Sequence, residues 1–124
     1  MTAHERAAQI WSILALAAKN RQILTYGLLS KLIGVPPVGL GHLLEPIQSY
    51  CLLRELPPLT ILVVQEATGV PGTGFTATSA DMLARTQLQV IDFDWLEHGA
   101  PTPEVLASAV TERPSRGWRA GGAE

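Results

Sequence analysis

With 124 residues, 47% of them apolar and 16% charged, the chain is sized for one domain built around a single core. Its net charge of −2 lacks the basic excess of a dedicated nucleic-acid binder, although a local patch can sit inside a neutral total. A single cysteine, Cys51, excludes an intramolecular disulfide and a multi-cysteine zinc site. The apolar residues near the start are interrupted by His4, Glu5, Arg6 and Gln9, which is not the pattern of a secretory leader. No run is long and apolar enough to span a bilayer, and the expectation is a cytoplasmic protein with no membrane partner.

In chain order, Thr2 and Glu5 have capping-box spacing. Ala7, Ile10, Trp11, Leu14, Ala15 and Ala18 then recur at helical spacing, which predicts a first helix over residues 3–19. Lys19 and Arg21 stand where positive charge suits its C-terminus. Residues 20–24 read as a connector with a short extended piece. Thr25 caps a second helix, residues 26–33, which Gly34 ends and Val35-Pro36-Pro37 turns. A third helix begins near Pro37 or Val38. Leu40, Leu43, Leu44, Ile47 and Cys51 form its buried stripe, with Gly41, His42, Glu45, Gln48 and Ser49 on the other side. Pro46 cannot donate to the carbonyl of His42, so a kink or break is expected there, followed by a second segment over residues 46–55.

Leu56-Pro57-Pro58 stops that helix, and residues 59–64 are rich in β-branched side chains, reading as a buried strand. Gly69, Gly72 and Gly74 with Pro71 predict a loop or wing, with residues 75–78 returning as a second strand. Beyond Ser79, the alternatives are one helix over residues 80–90, or a helix ending near Gln87 followed by a strand over residues 88–93. The run Asp92-Phe93-Asp94-Trp95 is expected to close over the core. Thr102-Pro103-Glu104 opens a last helix with Pro at its first position. The expected layout is one domain over residues 1–112 and a disordered tail over residues 113–124, where Gly, Ala, Arg and Ser dominate.

Thr25-Tyr26-Gly27-Leu28-Leu29-Ser30-Lys31-Leu32-Ile33-Gly34, then Val38-Gly39-Leu40-Gly41 and Pro57-Pro58-Leu59, resemble the DNA-binding domain of alkylguanine-DNA alkyltransferases and alkyltransferase-like proteins. The resemblance covers the central two-fifths or so of the chain. Residues 71–95 also resemble small bacterial proteins that carry such a domain alone. It implies an α+β winged helix-turn-helix with a short β-hairpin wing and extra C-terminal elements. The family's Pro-Cys-His-Arg acceptor motif falls on residues 59–64, Leu-Thr-Ile-Leu-Val-Val here. A thiolate acceptor needs a cysteine activated by a nearby base, so alkyl transfer is excluded on this scaffold. Cys51, on the apolar stripe, does not substitute. The family's intercalating arginine corresponds to Val38, and its phosphate-contacting tyrosine to Tyr26, which also suits a packing role.

The other candidates carry less chemistry. His42 is a lone exposed histidine with no second ligand in spacing, and neither a metal nor a cofactor is expected. Glu45 on the groove face opposes a phosphate backbone. Residues 69–74 lack the lysine and spacing of a phosphate loop. For Asp92, Asp94 and Glu97, a solvated acidic edge that hides Phe93 and Trp95 is a commoner case than paired-acid chemistry. Arg113, Arg116, Trp118 and Arg119 could hold phosphates loosely, although a solvated end is the commoner case. No small-molecule substrate is evident, and enzymatic activity is the least favoured class.

Two functions follow. The first is a non-enzymatic module binding double-stranded DNA weakly, through Thr25, Tyr26, Lys31, Pro37, Val38, Gly41, His42 and Glu45, with Gly69, Gly72 and Gly74 in the wing. The second is a protein-interaction module that uses the same helix-three face to regulate or inhibit a nucleic-acid-processing enzyme.

Overall fold

A computed structural model of the chain describes residues 1–72 and 75–112. Its elements are α1 (Ala3–Lys19), β1 (Leu24–Thr25), α2 (Tyr26–Ile33), a 3-10 turn (Pro37–Gly39), α3 (Leu40–Leu53), a second 3-10 turn (Leu59–Leu62), β2 (Val63–Val64), a third (Ala80–Met82), α4 (Leu83–Asp92), α5 (Trp95–His98) and α6 (Pro103–Glu112). Helix accounts for 66% of the described residues and strand for 4%.

The local signals explain most helix ends. Thr2 accepts from the Glu5 amide, and the Glu5 carboxylate accepts from the Thr2 amide, closing the capping box of α1. Thr25 Oγ1 accepts from Leu28 N at 3.1 Å, and Thr102 Oγ1 from Val105 N at 3.2 Å. At the C-terminal ends of α1 and α3, Arg21 and Glu55 take φ of 57° and 56°. Both ends carry the paired bonds of a Schellman motif: Gln22 N to Ala17 O with Arg21 N to Ala18 O, and Leu56 N to Cys51 O with Glu55 N to Leu52 O.

The core lies between α1, α3 and α6, closed by α4, α5 and the Leu59–Leu62 turn. Trp11 is its centre, edge-on to Tyr50 at 5.4 Å and to Trp95 at 5.5 Å. Trp95 is buried and donates its indole N–H to Val90 O at 2.7 Å, so the run at residues 92–95 does close over the core. Asp94 caps α5, and Asp92 pairs with Arg21 at 3.4 Å, both exposed.

The expected winged helix-turn-helix with a β-hairpin wing is overturned. The strands among the described residues are β1 and β2, two residues each, paired parallel with Leu24 opposite Val63 and Thr25 opposite Val64. Residues 59–62 turn as a 3-10 helix because Pro58 O accepts from Ile61 N. They are buried all round, and for such a run periodicity cannot separate strand from helix. The wing is instead a closed loop: Gln65 N bonds Val70 O, Gly69 N bonds Gln65 O, and Gln65 Nε2 bonds Pro71 O. No returning strand forms over residues 75–78, since Phe75 N turns back to Gly72 O and Thr76 N is taken by Gln48 Oε1.

Other expectations also change. Helix α3 runs unbroken through Pro46 to Leu53. Proline costs the bond to His42 O, but Pro46 is itself buried and the packing on either side carries the helix past it. Gln48 and Ser49, expected on an open face, are buried. Residues 88–92 continue α4 rather than forming a strand, and Leu88, expected inside, is exposed. The tail at residues 113–124 lies outside the described residues.

Candidate functional site

Six residues separate α2 from α3: Gly34-Val35-Pro36, then the 3-10 turn Pro37–Gly39, which runs on into α3, and the segment Pro37–Leu53 is bent by 96° from α2. Gly34, at φ 73°, supplies the left-handed step that ends α2, and its N–H bonds Ser30 O. The Ser30 hydroxyl bonds Val35 O, and Arg6 of α1 donates to Ile33 O at 2.8 Å. The last turn of α2 is therefore held from three sides. A guanidinium on its terminal carbonyl also suits the helix dipole.

Several of the singled-out residues lie along α2, the turn and the start of α3. Thr25 caps α2. Lys31 is exposed on it, and Pro37 and Val38 form the tip of the turn. Val38 is 93% exposed, the most open large apolar side chain of the described residues. Gly41 and His42 are exposed on the first turn of α3, and Glu45, one turn on, is half-buried. Among the described residues no cation pairs with Glu45.

The glycines expected in a wing have distinct positions. Gly69 takes φ 73° in the closed loop. Gly72 lies against Tyr26, where a Cβ would stand 2.6 Å from the phenolic oxygen and 3.2 Å from Cζ. The ring of Tyr26 thus rests on backbone that only glycine leaves bare. Gly74 lies outside the described residues.

Between α2, α3 and this loop is a half-open cleft of about 670 Å³. Tyr26 and Gly72 form one side, and Gly41, His42 and Glu45 another. The inner wall combines apolar Leu44 and Phe75 with polar Gln48, Thr60 and Gln65. Thr60 is 5% exposed, and its hydroxyl has no hydrogen-bond partner among the described residues. Nothing in the sequence spacing of Thr60, Gln65, Phe75 and Thr76 marks them as site residues. They meet only after the 65–72 loop folds back over α3.

The remaining candidates are placed apart from this corner. Cys51 is fully buried on α3, and burial pushes its thiol up to about 12 against a partly offsetting backbone hydrogen bond from Leu59. A thiol so held is not a nucleophile at neutral pH. No group of three or more His, Cys, Asp or Glu able to hold a metal occurs among the described residues. His98 bonds the Tyr50 hydroxyl at 3.1 Å beside Trp11, within an aromatic cluster. No protein-family profile, curated protein or solved structure matches the chain.

Proposed function

We propose that the chain is a non-enzymatic DNA-binding module that uses α2, the turn and the start of α3 as a helix-turn-helix, related in design to the alkyltransferase-like proteins but without their acceptor cysteine. The observation that carries this reading is the corner itself. A break of three residues that includes Gly34 separates α2 from the helical segment Pro37–Leu53, and the 96° bend across it is in the range of DNA-binding helix pairs. The turn exposes an apolar side chain, Val38, and α2 carries Lys31 exposed and Tyr26 half-buried. An apolar residue so placed suits insertion or close approach to a groove better than direct reading of bases. The first two turns of α3 offer no Arg, Lys, Asn or Gln for bidentate base contacts. Binding is accordingly weak and indifferent to sequence, with a shallow salt slope.

Fluorescence anisotropy on random duplexes at two salt concentrations tests this reading. The expected result is micromolar binding with a slope of about −1 to −2, the value for one or two phosphates. No binding at tens of micromolar protein would end it. A second reading, docking of a protein partner on the same face, is favoured by the apolar Leu28 and Leu32, both about half exposed on α2 near the corner. A nanomolar, sequence-selective duplex complex at physiological salt would end that alternative.

A further inference from the structure

We propose that the cleft between α2, α3 and the 65–72 loop is a binding site for a small flat molecule that carries N–H donors and no negative charge, of the amidine or amino-heterocycle class. This goes beyond the DNA reading and does not depend on it. The volume, about 670 Å³, is that of small-molecule sites, which pair an apolar lining with a few converging polar groups. Here the apolar part is Phe75, Leu44 and the ring of Tyr26, two of them aromatic and able to stack on a flat body.

The polar part selects the ligand's charge. Glu45 is the one formally charged side chain in the described wall, half-buried and without a cationic partner among the described residues. A second carboxylate, Glu66, lies over Gly27 beside Tyr26, where a Cβ would come within 3.2 Å of its Oε2. Among the described residues no lysine or arginine lines the cleft, so a phosphate or carboxylate would face Glu45 with no fixed cation to offset it, whereas an amidine or ring amino group satisfies Glu45 by charge-assisted hydrogen bonds.

Thr60 provides the independent sign of a ligand. A buried hydroxyl left without a partner is costly, and native structures rarely leave one so. Thr60 is one of the residues that line the cleft, and a ring nitrogen or N–H of a molecule seated there would supply the partner that its hydroxyl lacks among the described residues. The close seat of Tyr26 on Gly72 fixes the opposite side, so the cleft is preformed on both sides.

The test is a titration of the 15N-labelled full chain, without DNA, with benzamidine and with benzoate, which match in size and differ in charge. Benzamidine is expected to give saturable shifts centred on Glu45, the Gln48 side-chain amide and Phe75, with a Kd on the order of 1 mM for so small a probe. Benzoate is expected to give none. Glu45→Gln should weaken benzamidine by about tenfold, the loss of one charge-assisted contact. Thr60→Val, which keeps the shape, should weaken it several-fold with the spectrum otherwise native. Absence of saturable shifts, shifts centred elsewhere, equal response to benzoate, or an unchanged Kd in both variants would each overturn the proposal. Because no DNA is present, none of these results bears on the helix-turn-helix reading.

Discussion

Replacing Val38 by arginine puts a cation at the tip of the proposed DNA-facing corner. Val38 is 93% exposed, so little packing is lost, and a surface change of this kind alters stability by no more than about 0.5 kcal/mol. Any change in DNA binding is then a property of the surface. One added phosphate contact steepens the salt dependence by about 0.9 in log K against log salt. Between 200 and 50 mM salt, a fourfold change, the variant should gain about 3.5-fold more affinity than the parent. Anisotropy titrations of both proteins on one random duplex at those two salts read the slope directly, and thermal melts confirm equal folding. An unchanged slope in a normally folded variant means that the tip of the turn does not lie against the duplex, and the helix-turn-helix reading fails. If the same variant abolishes capture of a protein partner while DNA binding stays absent, the face serves protein recognition instead.

Four further outcomes test the structure. Glu55→Gly and Arg21→Gly relieve left-handed backbone at two Schellman ends; each should raise stability by about 1 kcal/mol in urea unfolding, and a loss would contradict those end geometries. Thr60→Val removes an unpartnered buried hydroxyl and should stabilise the ligand-free chain by about 1–3 kcal/mol, so a destabilised variant would show that the hydroxyl has a partner after all. Cys51 keeps its proton in the native state up to about 12 while an unfolded thiol releases it near 9. The native state then holds the extra proton and stability falls as pH rises through that window, by about 1.4 kcal/mol per pH unit. The slope should flatten in Cys51→Ala, and native protein should resist thiol reagents that label it once unfolded. Finally, incubation with an alkylated-guanine oligonucleotide should leave the intact mass unchanged, since Cys51 is buried and residues 59–64 hold no acceptor.

The sequence by itself determined the elements whose signals are local. Thr2 with Glu5, Thr25, Gly34 and Thr102-Pro103 act on amides within three or four residues, so α1, α2, the turn and the start of α6 were legible from spacing. The stripe ending in Cys51 was legible for the same reason. Tertiary structure decided what depended on distant partners. Residues 59–64 are buried on every side, and no alternation remained to choose strand over 3-10 turn; Pro58 O and pairing with Leu24-Thr25 made the choice. The expected hairpin failed because its amides found other partners, Val70 O, Gly72 O and the side chain of Gln48, none of them readable from β-propensity. Gln48 and Ser49 were assigned to an open face by helical phase alone, which says where a side chain points along the helix but not what later covers it. The cleft is the extreme case. Tyr26, Glu45, Thr60 and Phe75 are far apart in the chain and carry no shared motif. They line one cleft because the loop at residues 65–72 closes on itself and seats Gly72 under the ring of Tyr26.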